Sequence, residues 1–271
     1  NLRIIATRST GYDHINIESA KKRNIAVVNV ENYGETSVAQ YTMGLLILLV
    51  RKIIPASFYI KNVPNHDTDF TGRDISKLTL GVIGTGSIGA AVCRAAKCFN
   101  MNVIANDLKE RKELIEEFGI KYMSLEDLLK SSDAVSLHIP YTGDNYHMLG
   151  KEQFEIMKNG AMLINTSRGE IVDLPAMYEF IENKKLGGAA LDVLACESIN
   201  FGCKNLAHKL NTVPMACLNE AIYVEKLEKF DNVIITPHIA YDTQDSIDFI
   251  LDKSMRAVMD VIRGGKMGRI V

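Results

Sequence analysis

The sequence predicts an α/β fold built on a doubly wound parallel sheet, and three observations support this class. Short apolar runs alternate with helical patterns along almost the whole chain, as in strand–helix–strand units. Residues 78–99 combine one such strand and helix around the glycine pattern Gly84-x-Gly86-x-x-Gly89. Polar residues follow most of the predicted strands, where sheets of this class bind their ligands. We therefore expect an open parallel sheet with helices on both faces.

Two strand–helix units precede the glycine pattern. The first strand begins at Leu2 with no leader segment before it, and a lone terminal strand needs a sheet built elsewhere. The chain is therefore expected to lack its true N-terminus. The second helix contains the apolar run 45–50, which is too short to span a bilayer and indicates a buried helix. The predicted elements are a strand at 2–7, a glycine loop at 9–13, a helix at 17–23, a strand at 26–30, a loop at 32–34, a helix at 36–52 and a connector at 53–77.

The later elements follow the same alternation, without an internal repeat or a low-complexity segment. The exception is segment 196–229, which has no regular period and is predicted to be an insertion with one or two short helices. The predicted strands are 78–83, 102–106, 134–138, 161–165, 188–193 and 233–236, and a final amphipathic helix is predicted at 246–263.

The glycine pattern predicts a dinucleotide site. Gly84 allows a tight turn, Gly86 lets the backbone approach a pyrophosphate, and Gly89 lets the helix pack closely on the strand. The N–H groups and the dipole at the start of this helix favour a phosphate. Asp107 ends the next strand, eighteen residues after Gly89. Because a carboxylate accepts from a ribose 2′-OH and repels a 2′-phosphate, NAD is expected rather than NADP. A purely structural glycine turn is the competing interpretation.

Composition excludes several kinds of partner. The 271 residues carry a formal net charge of −2 without a basic block, so neither nucleic acid nor a membrane surface is an expected partner. The five cysteines form no C-x-x-C pair, which implies neither a disulfide framework nor a zinc site, and no other metal is expected. Reduced thiols in a cytoplasmic protein are the expected state.

Residues after the later strands have the chemistry for hydride transfer to a small 2-keto acid. Such a reaction needs a planar cation for the carboxylate, a general acid for the carbonyl oxygen, and a carboxylate that orients the acid. Arg168, His238 and Glu197 are the candidates for these roles. Other roles stay open, because a histidine at a strand end is often structural and an arginine there is often solvated. Forty residues separate Glu197 from His238, so spacing does not show that they meet.

Several motifs together resemble the NAD-dependent D-2-hydroxyacid dehydrogenases, and the resemblance covers essentially the whole chain. It implies that Arg168 binds the substrate carboxylate and carbonyl, that His238 is the acid/base, and that Glu197 is its partner. The motifs are, in order, V-I-G-T-G-S-I-G at 82–89, S-L-H-I-P at 136–140, N-T-S-R-G-E-I-V-D at 165–173, G-G-A-A-L-D-V at 187–193 and T-P-H-I-A at 236–240.

The resemblance also implies a domain organisation. A Rossmann-like NAD-binding domain would span 35–241, and a partial flavodoxin-like substrate domain would span 1–34 and be rejoined by the helix in 242–271. The family has two or three further strand–helix units at its start, and it is homodimeric. Substrate contacts are implied for Arg8, Thr10, Gly11 and Tyr33, and cofactor contacts for Ser87, Ile88, His138, Ile139, Pro140, Asn145, Thr166, Ser167 and Asp192, the last at the nicotinamide carboxamide.

Two departures from the family pattern bear on the reaction. Gln40 stands in place of a usual glutamate, and Ser198 in place of a frequent proline, after which a long insertion begins. Such an insertion resembles the D-lactate dehydrogenase branch, including the vancomycin-resistance type, and predicts reduction of pyruvate to D-lactate. A dehydrogenase of a bulkier 2-hydroxy acid or of the phosphoglycerate type is the alternative among enzymes. An NAD-sensing corepressor-like protein and an inactive NAD-binding fragment are the alternatives outside enzymes.

Overall fold

The computed structural model describes residues 2–12, 14–30, 33–62, 69–200 and 214–271. Contacts between Cα atoms divide the chain into two compact units, Asn1–Ser37 with Tyr241–Val271, and Val38–Ala240. The boundaries expected from the sequence, 1–34 with 242–271 and 35–241, lie within three residues of these.

The smaller unit contains a pair of parallel strands and two helices. Its strands β1 (Ile4–Ala6) and β2 (Ala26–Val28) pair in a register that places Ile5 opposite Val27. Helix α1 (Ile17–Lys22) begins after Asn16, whose side chain accepts a hydrogen bond from the N–H of Ser19 at 2.8 Å. The long helix of this unit is Gln244–Ile262, numbered α11 in chain order.

The larger unit contains a seven-stranded parallel sheet. The chain begins in the middle of this sheet, extends to one edge, returns to the middle and then extends to the other edge, which creates a switch point beside the first strand. The strands are β3 (Thr79–Ile83), β4 (Asn102–Asn106), β5 (Lys121–Tyr122), β6 (Ala134–Leu137), β7 (Ala161–Asn165), β8 (Leu186–Leu191) and β9 (Val233–Ile235), in the order β5-β4-β3-β6-β7-β8-β9.

Helices cover both faces of this sheet. Side chains alternate along a strand, so Val82 and Ile83 belong to two different hydrophobic clusters, one on each face. The helices are α2 (Glu35–Val50), α3 (Ile53–Asn62), α4 (Ser87–Cys98), α5 (Lys112–Phe118), α6 (Leu125–Ser131), α7 (Lys151–Ile156), α8 (Leu174–Glu182), α9 (Glu197–Asn200) and α10 (Met215–Leu227).

The connector predicted at 53–77 is partly wrong, because its first residues form α3. Lys52, in the turn between α2 and α3, has a φ of 52°. Helix α3 then has Pro55 in its first turn, where the missing N–H of proline needs no helical partner. The two-residue strand β5 was not predicted, since it is too short to show an alternating pattern. The predicted insertion carries α9 and α10, and residues 201–213 between them lie outside the described residues.

The apolar run 45–50 lies within α2, which is largely buried. Within the described ranges, no single helix has the length and apolar character needed to cross a membrane. The consecutive helices Glu35–Val50 and Ile53–Lys61 meet those two criteria only when taken together, and the chain bends by 60° between them.

Candidate active site

The glycine turn between β3 and α4 has the shape of a pyrophosphate site. Gly84 has a φ of +87°, and a Cβ there would lie 2.6 Å from the carbonyl oxygen of His138, so a larger residue does not fit. A Cβ at Gly89 would overlap the carbonyl oxygen of Gly84. Gly86 instead faces open space, with no described atom within 4 Å of its Cβ position. Helix α4 starts at Ser87 without a side-chain cap, and its first N–H groups lack partners within the helix, so the turn fits a dinucleotide phosphate.

Asp107, at the end of β4, is held in its ionised form by hydrogen bonds. One carboxylate oxygen accepts from the N–H and the hydroxyl of Thr85, and the other accepts from the N–H of Lys109 at 3.0 Å. Burial alone would raise the pKa of Asp107, but the hydrogen bonds from Lys109, Thr85 and Leu108 lower it below its ordinary value. An ionised carboxylate at this position can accept hydrogen bonds from a ribose.

The Thr85 hydroxyl is itself positioned by a tyrosine. The Tyr122 hydroxyl on β5 donates to Thr85 Oγ1 at 2.9 Å and accepts from the N–H of Arg111 at 3.1 Å. The hydrogen bonds therefore run from Arg111 through Tyr122 and Thr85 to Asp107. The sequence did not reveal this series of hydrogen bonds, because it depends on β5, which no sequence pattern predicted.

The loop after β6 forms the wall beside the glycine turn. His138 lies with its Nε2 2.7 Å from Ser136 Oγ, and burial lowers the pKa of His138 to about 3. This histidine is therefore neutral near pH 7 and is not the acid of the site. The side chain of Asn145 donates to the carbonyl oxygen of Pro140 at 2.8 Å and accepts from the N–H of Thr142 at 3.0 Å. Asn145 thus stabilises its own loop, and its contact with a cofactor stays a prediction.

The loop after β7 presents Arg168. Asn165, which ends the strand, is fully buried; its side chain accepts from the N–H and hydroxyl of Ser167 and donates to the carbonyl oxygen of Arg168 at 2.8 Å. A Cβ at the next residue, Gly169, would overlap the backbone of Leu194 and Ala195. Only glycine therefore allows the Arg168 loop to pack on the segment that leads to Glu197.

The loop after β9 presents His238 and is held by Asp192. The buried Asp192 carboxylate accepts from the Thr236 hydroxyl at 2.6 Å and from the N–H groups of Ile239 and Ala240 at 3.0 and 2.8 Å. Its carbonyl oxygen accepts from the N–H of His238 at 2.8 Å. Sequence reasoning assigned Asp192 to the cofactor and missed this role. A carboxylate has about four acceptor positions, so three donors leave room for a further one, such as a carboxamide.

The structure brings His238 and Glu197 together. His238 Nδ1 lies 2.9 Å from Oε2 of Glu197, the first residue of α9. Their side chains are 40% and 35% exposed, so a substrate can reach them. With Nδ1 facing a carboxylate, Nε2 is the ring nitrogen that can transfer a proton to a substrate.

The loops that carry these residues open at one edge of the sheet. The strand register places Asn165, Leu191 and Ile235 side by side. Arg168 and His238 follow the first and last of these by three residues. The other predicted cofactor positions lie near the same edge: Ser87 and Ile88 in the first turn of α4, Ile139 and Pro140 after β6, and Thr166 and Ser167 after β7.

The predicted substrate residues of the smaller unit lie in two loops. Thr10 donates through its hydroxyl to the carbonyl oxygen of Val30 at 3.0 Å, and the Ser9 hydroxyl donates to the carbonyl oxygen of Gly11 at 2.6 Å. Tyr33 packs edge-on against Tyr241 with ring centroids 5.9 Å apart. The substrate roles of Arg8, Thr10, Gly11 and Tyr33 stay predictions, and Asp13 and Asn32 of the same loops lie outside the described residues.

The expectation that the cysteines are reduced is wrong for one pair. Cys196 and Cys217 form a disulfide with their Cα atoms 5.6 Å apart. Spacing could not reveal this pair, because its members are 21 residues apart and meet only through the packing of α9 and α10. Cys93 and Cys98 are free, and burial raises the pKa of the Cys93 thiol to about 12. No group of three or more metal-ligating side chains was found among the described residues.

Comparison with known proteins places this geometry in a family. The NAD-binding domain of the D-isomer-specific 2-hydroxyacid dehydrogenases matches residues 43–240. A D-lactate dehydrogenase from Aquifex aeolicus, solved with NAD and lactic acid, has a TM-score of 0.89 and 36% identity, covering 100% of this chain and 80% of its own. A D-specific alpha-keto acid dehydrogenase from Enterococcus faecium is 37% identical over 97% of this chain and 76% of its own length. A glyoxylate reductase from Korarchaeum cryptofilum is 37% identical over 88% and 67%, respectively. The chain therefore belongs to the D-isomer-specific 2-hydroxyacid dehydrogenases and is an NAD-dependent oxidoreductase of that family.

Proposed function

We propose that this enzyme uses NADH to reduce a small 2-keto acid to the D-2-hydroxy acid, with pyruvate and D-lactate as its main substrate and product. The observation that carries the proposal is the 2.9 Å contact between His238 Nδ1 and Glu197 Oε2. The three-carbon substrate is supported by the A. aeolicus D-lactate dehydrogenase, whose structure with lactic acid matches this chain over its full length.

Three residues would divide the chemistry between them. Arg168 offers a planar guanidinium whose paired N–H donors match the carboxylate and keto oxygens of the substrate. His238 donates a proton from Nε2 to the carbonyl oxygen, and takes it back in the reverse reaction. Glu197 accepts the hydrogen bond from Nδ1, which fixes the ring orientation and balances the positive charge of the imidazolium. Bound NADH supplies the hydride to the carbonyl carbon.

The position of His238 depends on Asp192 as much as on Glu197. Asp192 receives three hydrogen bonds from the Thr236–Ala240 loop, which sets the backbone from which His238 projects. Glu197 sets the ring itself. We infer that Asp192 acts on the reaction chiefly by positioning His238, and that the remaining acceptor position of its carboxylate holds the nicotinamide carboxamide.

A second substrate is favoured by one comparison. The glyoxylate reductase of K. cryptofilum and the E. faecium alpha-keto acid dehydrogenase are equally identical to this chain, at 37%. Glyoxylate shares the carboxylate and carbonyl that Arg168 and His238 would recognise, and it lacks only the methyl group of pyruvate. One methyl group in an apolar pocket can change the ratio of the kcat/KM values for two substrates, here pyruvate and glyoxylate, by about 10- to 200-fold.

A substrate panel with the natural full-length protein tests the proposal. NADH oxidation is followed with pyruvate, glyoxylate, 2-ketoisocaproate, phenylpyruvate and 3-phosphohydroxypyruvate, and the product is analysed on a chiral column. We expect the largest kcat/KM with pyruvate and a D-lactate product. A larger kcat/KM with another keto acid would reassign the substrate, and an L-product would refute the proposed stereochemistry.

We also propose that the enzyme is a homodimer in the cytoplasm. The dimer is supported by the apolar residues that α3 exposes, among them Ile54 at 44% and Ile60 at 69% exposure. Sedimentation of the wild type and of Ile60→Glu tests this: a dimer that the substitution dissociates is expected, and a monomeric wild type would refute it.

A further inference from the structure

We propose that Cys196 and Cys217 form a thiol–disulfide exchange site whose bond positions Glu197, so that the turnover of the enzyme depends on the redox state of this pair. The inference rests on the proposed function, because it acts through the contact between Glu197 and His238. It also gives a role to two residues that the catalytic chemistry does not use.

Cys196 lies where the chain enters the short helix that carries Glu197. It immediately precedes Glu197, and its φ of 56° turns the chain into α9. Helix α9 has only four residues, and a helix of that length does not hold its own shape in water. The direction of the Glu197 side chain therefore depends on what ties this short segment to the rest of the unit. The buried side chain of Ile199 is one tie, and the disulfide is the covalent one.

Cys217 connects the disulfide to a longer helix. It lies in the first turn of α10, a helix of thirteen residues. Val224 and Leu227 of that helix are buried in the same hydrophobic cluster as residues of β7 and β8. Helix α10 is therefore a fixed support, and the disulfide joins the Glu197 segment to it. The Cα separation of 5.6 Å lies in the ordinary range for disulfides, so the bond requires no movement of either segment.

A thiol reagent can reach the disulfide from solvent. Cys196 and Cys217 are both partly exposed, unlike the buried Cys93. A dithiol can therefore attack one sulfur as its thiolate, forming a mixed disulfide and releasing the other cysteine as a thiolate. The second thiol of the reagent then displaces the first cysteine. Two electrons pass to the protein, which gains two thiols after protonation, and the dithiol becomes a disulfide. In a reducing compartment, disulfides of this kind are typically transient or redox-sensing.

The consequence of reduction should be confined to proton transfer. Without the bond, α9 loses its covalent tie to α10, and the 2.9 Å contact between Glu197 and His238 is no longer enforced. The His238 backbone stays in place, because Asp192 holds its loop independently. The glycine turn and Asp107 lie on other strands, so the affinity for NADH should not change.

Steady-state kinetics of the oxidised and reduced full-length enzyme provide the test. The two states are prepared with and without dithiothreitol, and the redox state is verified by thiol alkylation and mass spectrometry. We expect reduction to lower kcat about three- to tenfold, a fraction of what an acid/base residue contributes, with the Kd for NADH unchanged. Cys217→Ser should reproduce the reduced state in the absence of dithiothreitol. Cys98→Ser, which removes an exposed free thiol, should leave the response to dithiothreitol intact.

The decisive variant is Glu197→Gln. Glutamine can still accept from Nδ1 but lacks the negative charge that balances the imidazolium. If the disulfide acts by positioning that charge, the kcat of this variant is already low and reduction lowers it little further. An equal additional loss in Glu197→Gln would show a general structural effect and overturn the inference. Identical kcat values for the oxidised and reduced wild type would also overturn it, as would alkylation of both Cys196 and Cys217 in the protein after mild oxidation. Failure of the proposed function looks different, since the oxidised wild type would then reduce no 2-keto acid at all.

Discussion

His238 Nδ1 lies 2.9 Å from Glu197 Oε2, although forty residues separate the two in the sequence. The contact requires β9 and α9 to present their ends at one edge of the sheet, which the parallel order β7-β8-β9 provides. In the mechanism that we propose, this contact gives the two ring nitrogens of His238 different tasks: Nδ1 faces the carboxylate, and Nε2 transfers the proton to the substrate.

His238→Gln should abolish most of the reductase activity. Glutamine keeps a polar side chain but cannot donate a proton as an imidazolium does, so kcat should fall about 10²- to 10⁴-fold. The Kd for NADH, measured by fluorescence titration, should stay within about twofold, because a hydrogen bond to the cofactor would contribute more than this. His14→Gln, an exposed histidine of the smaller unit, serves as the control. Unchanged turnover in His238→Gln would exclude this residue as the acid.

Arg168→Lys tests recognition of the substrate carboxylate. A lysine keeps the charge but replaces the planar, paired donors of the guanidinium with a single ammonium group, so KM should rise and kcat should fall. The loss of one charge-assisted hydrogen bond corresponds to about a 10- to 100-fold decrease in kcat/KM. Arg73→Lys is the matched control, because Arg73 is exposed and pairs with Asp133 at 3.3 Å. A wild-type KM for the keto acid in Arg168→Lys would contradict the assignment.

Asp107→Ala and Tyr122→Phe test the preference for NAD. The first removes the carboxylate expected to bind the ribose, and the second removes a residue linked to that carboxylate through Thr85. Removing the carboxylate should weaken NADH and relatively favour NADPH, because the acceptor for the 2′-OH and the repulsion of a 2′-phosphate are both lost. Tyr122→Phe removes the donor to Thr85 Oγ1 and the acceptor for the N–H of Arg111 but leaves the Asp107 carboxylate, so it should weaken NADH about 2- to 10-fold. Affinities for both nucleotides are measured by calorimetry.

Tyr178→Phe is the control for the tyrosine, since its hydroxyl donates to the exposed Glu182 on the same helix. The ratio of NADH to NADPH affinity should move furthest in Asp107→Ala and less in Tyr122→Phe. A ratio that stays at the wild-type value in Asp107→Ala would show that another residue selects the cofactor.

The parts of the site that could be predicted are those formed by residues close together in the sequence. The turn at Gly84–Gly89 is one segment, and the structure shows the close backbone approaches expected at Gly84 and Gly89, with open space at Gly86. The contact of Glu197 with His238 and the bond of Cys196 with Cys217 are different, because each depends on the packing of segments far apart in sequence. Chemistry supplied Glu197 and His238 as candidates, whereas the cysteines were expected to be reduced. In both cases only the three-dimensional arrangement could show that the atoms meet.

Other local signals were misleading or incomplete. The Pro, Asn, Asp and Gly content of residues 53–77 indicated a connector, yet Pro55 is compatible with α3, because a proline fits in the first turn of a helix. The motif gave Asp192 a cofactor role, which stays a prediction, and it could not reveal the three hydrogen bonds that Asp192 accepts from the following loop, because these depend on tertiary packing. Sequence patterns thus predicted the strands and their ends well, and the interactions that fix the loops poorly.

Glu220 on α10 should make the stability of the protein fall as the pH rises. Burial raises the pKa of Glu220 from 4.5 to about 7, and the nearby carboxylates of Asp173 and Glu170 add to the effect. Oε2 of Glu220 has no hydrogen-bond partner among the residues that the structure describes. Tyr146 is also near this carboxyl group, and His147 Nδ1 lies 3.7 Å from Oδ2 of Asp173.

The sign follows from proton linkage. The folded state keeps a proton on Glu220 that the unfolded state releases above its pKa of 4.5, so folding is progressively disfavoured between pH 4.5 and about 7. Each pKa unit corresponds to about 1.4 kcal/mol. With a discount for solvent screening, the cost above pH 7 is about 1–2 kcal/mol.

Glu220→Gln removes this cost, because glutamine stays neutral at every pH and has nearly the same shape. Urea unfolding should show the variant more stable than the wild type by about 1–2 kcal/mol at about pH 8, with the difference disappearing near pH 4.5. Glu225→Gln on the same helix is the control: its side chain is 76% exposed, so its substitution should change stability by less than about 0.5 kcal/mol at either pH. A Glu220→Gln protein that is no more stable than the wild type at alkaline pH would show that the Glu220 carboxylate finds a compensating partner in the folded protein.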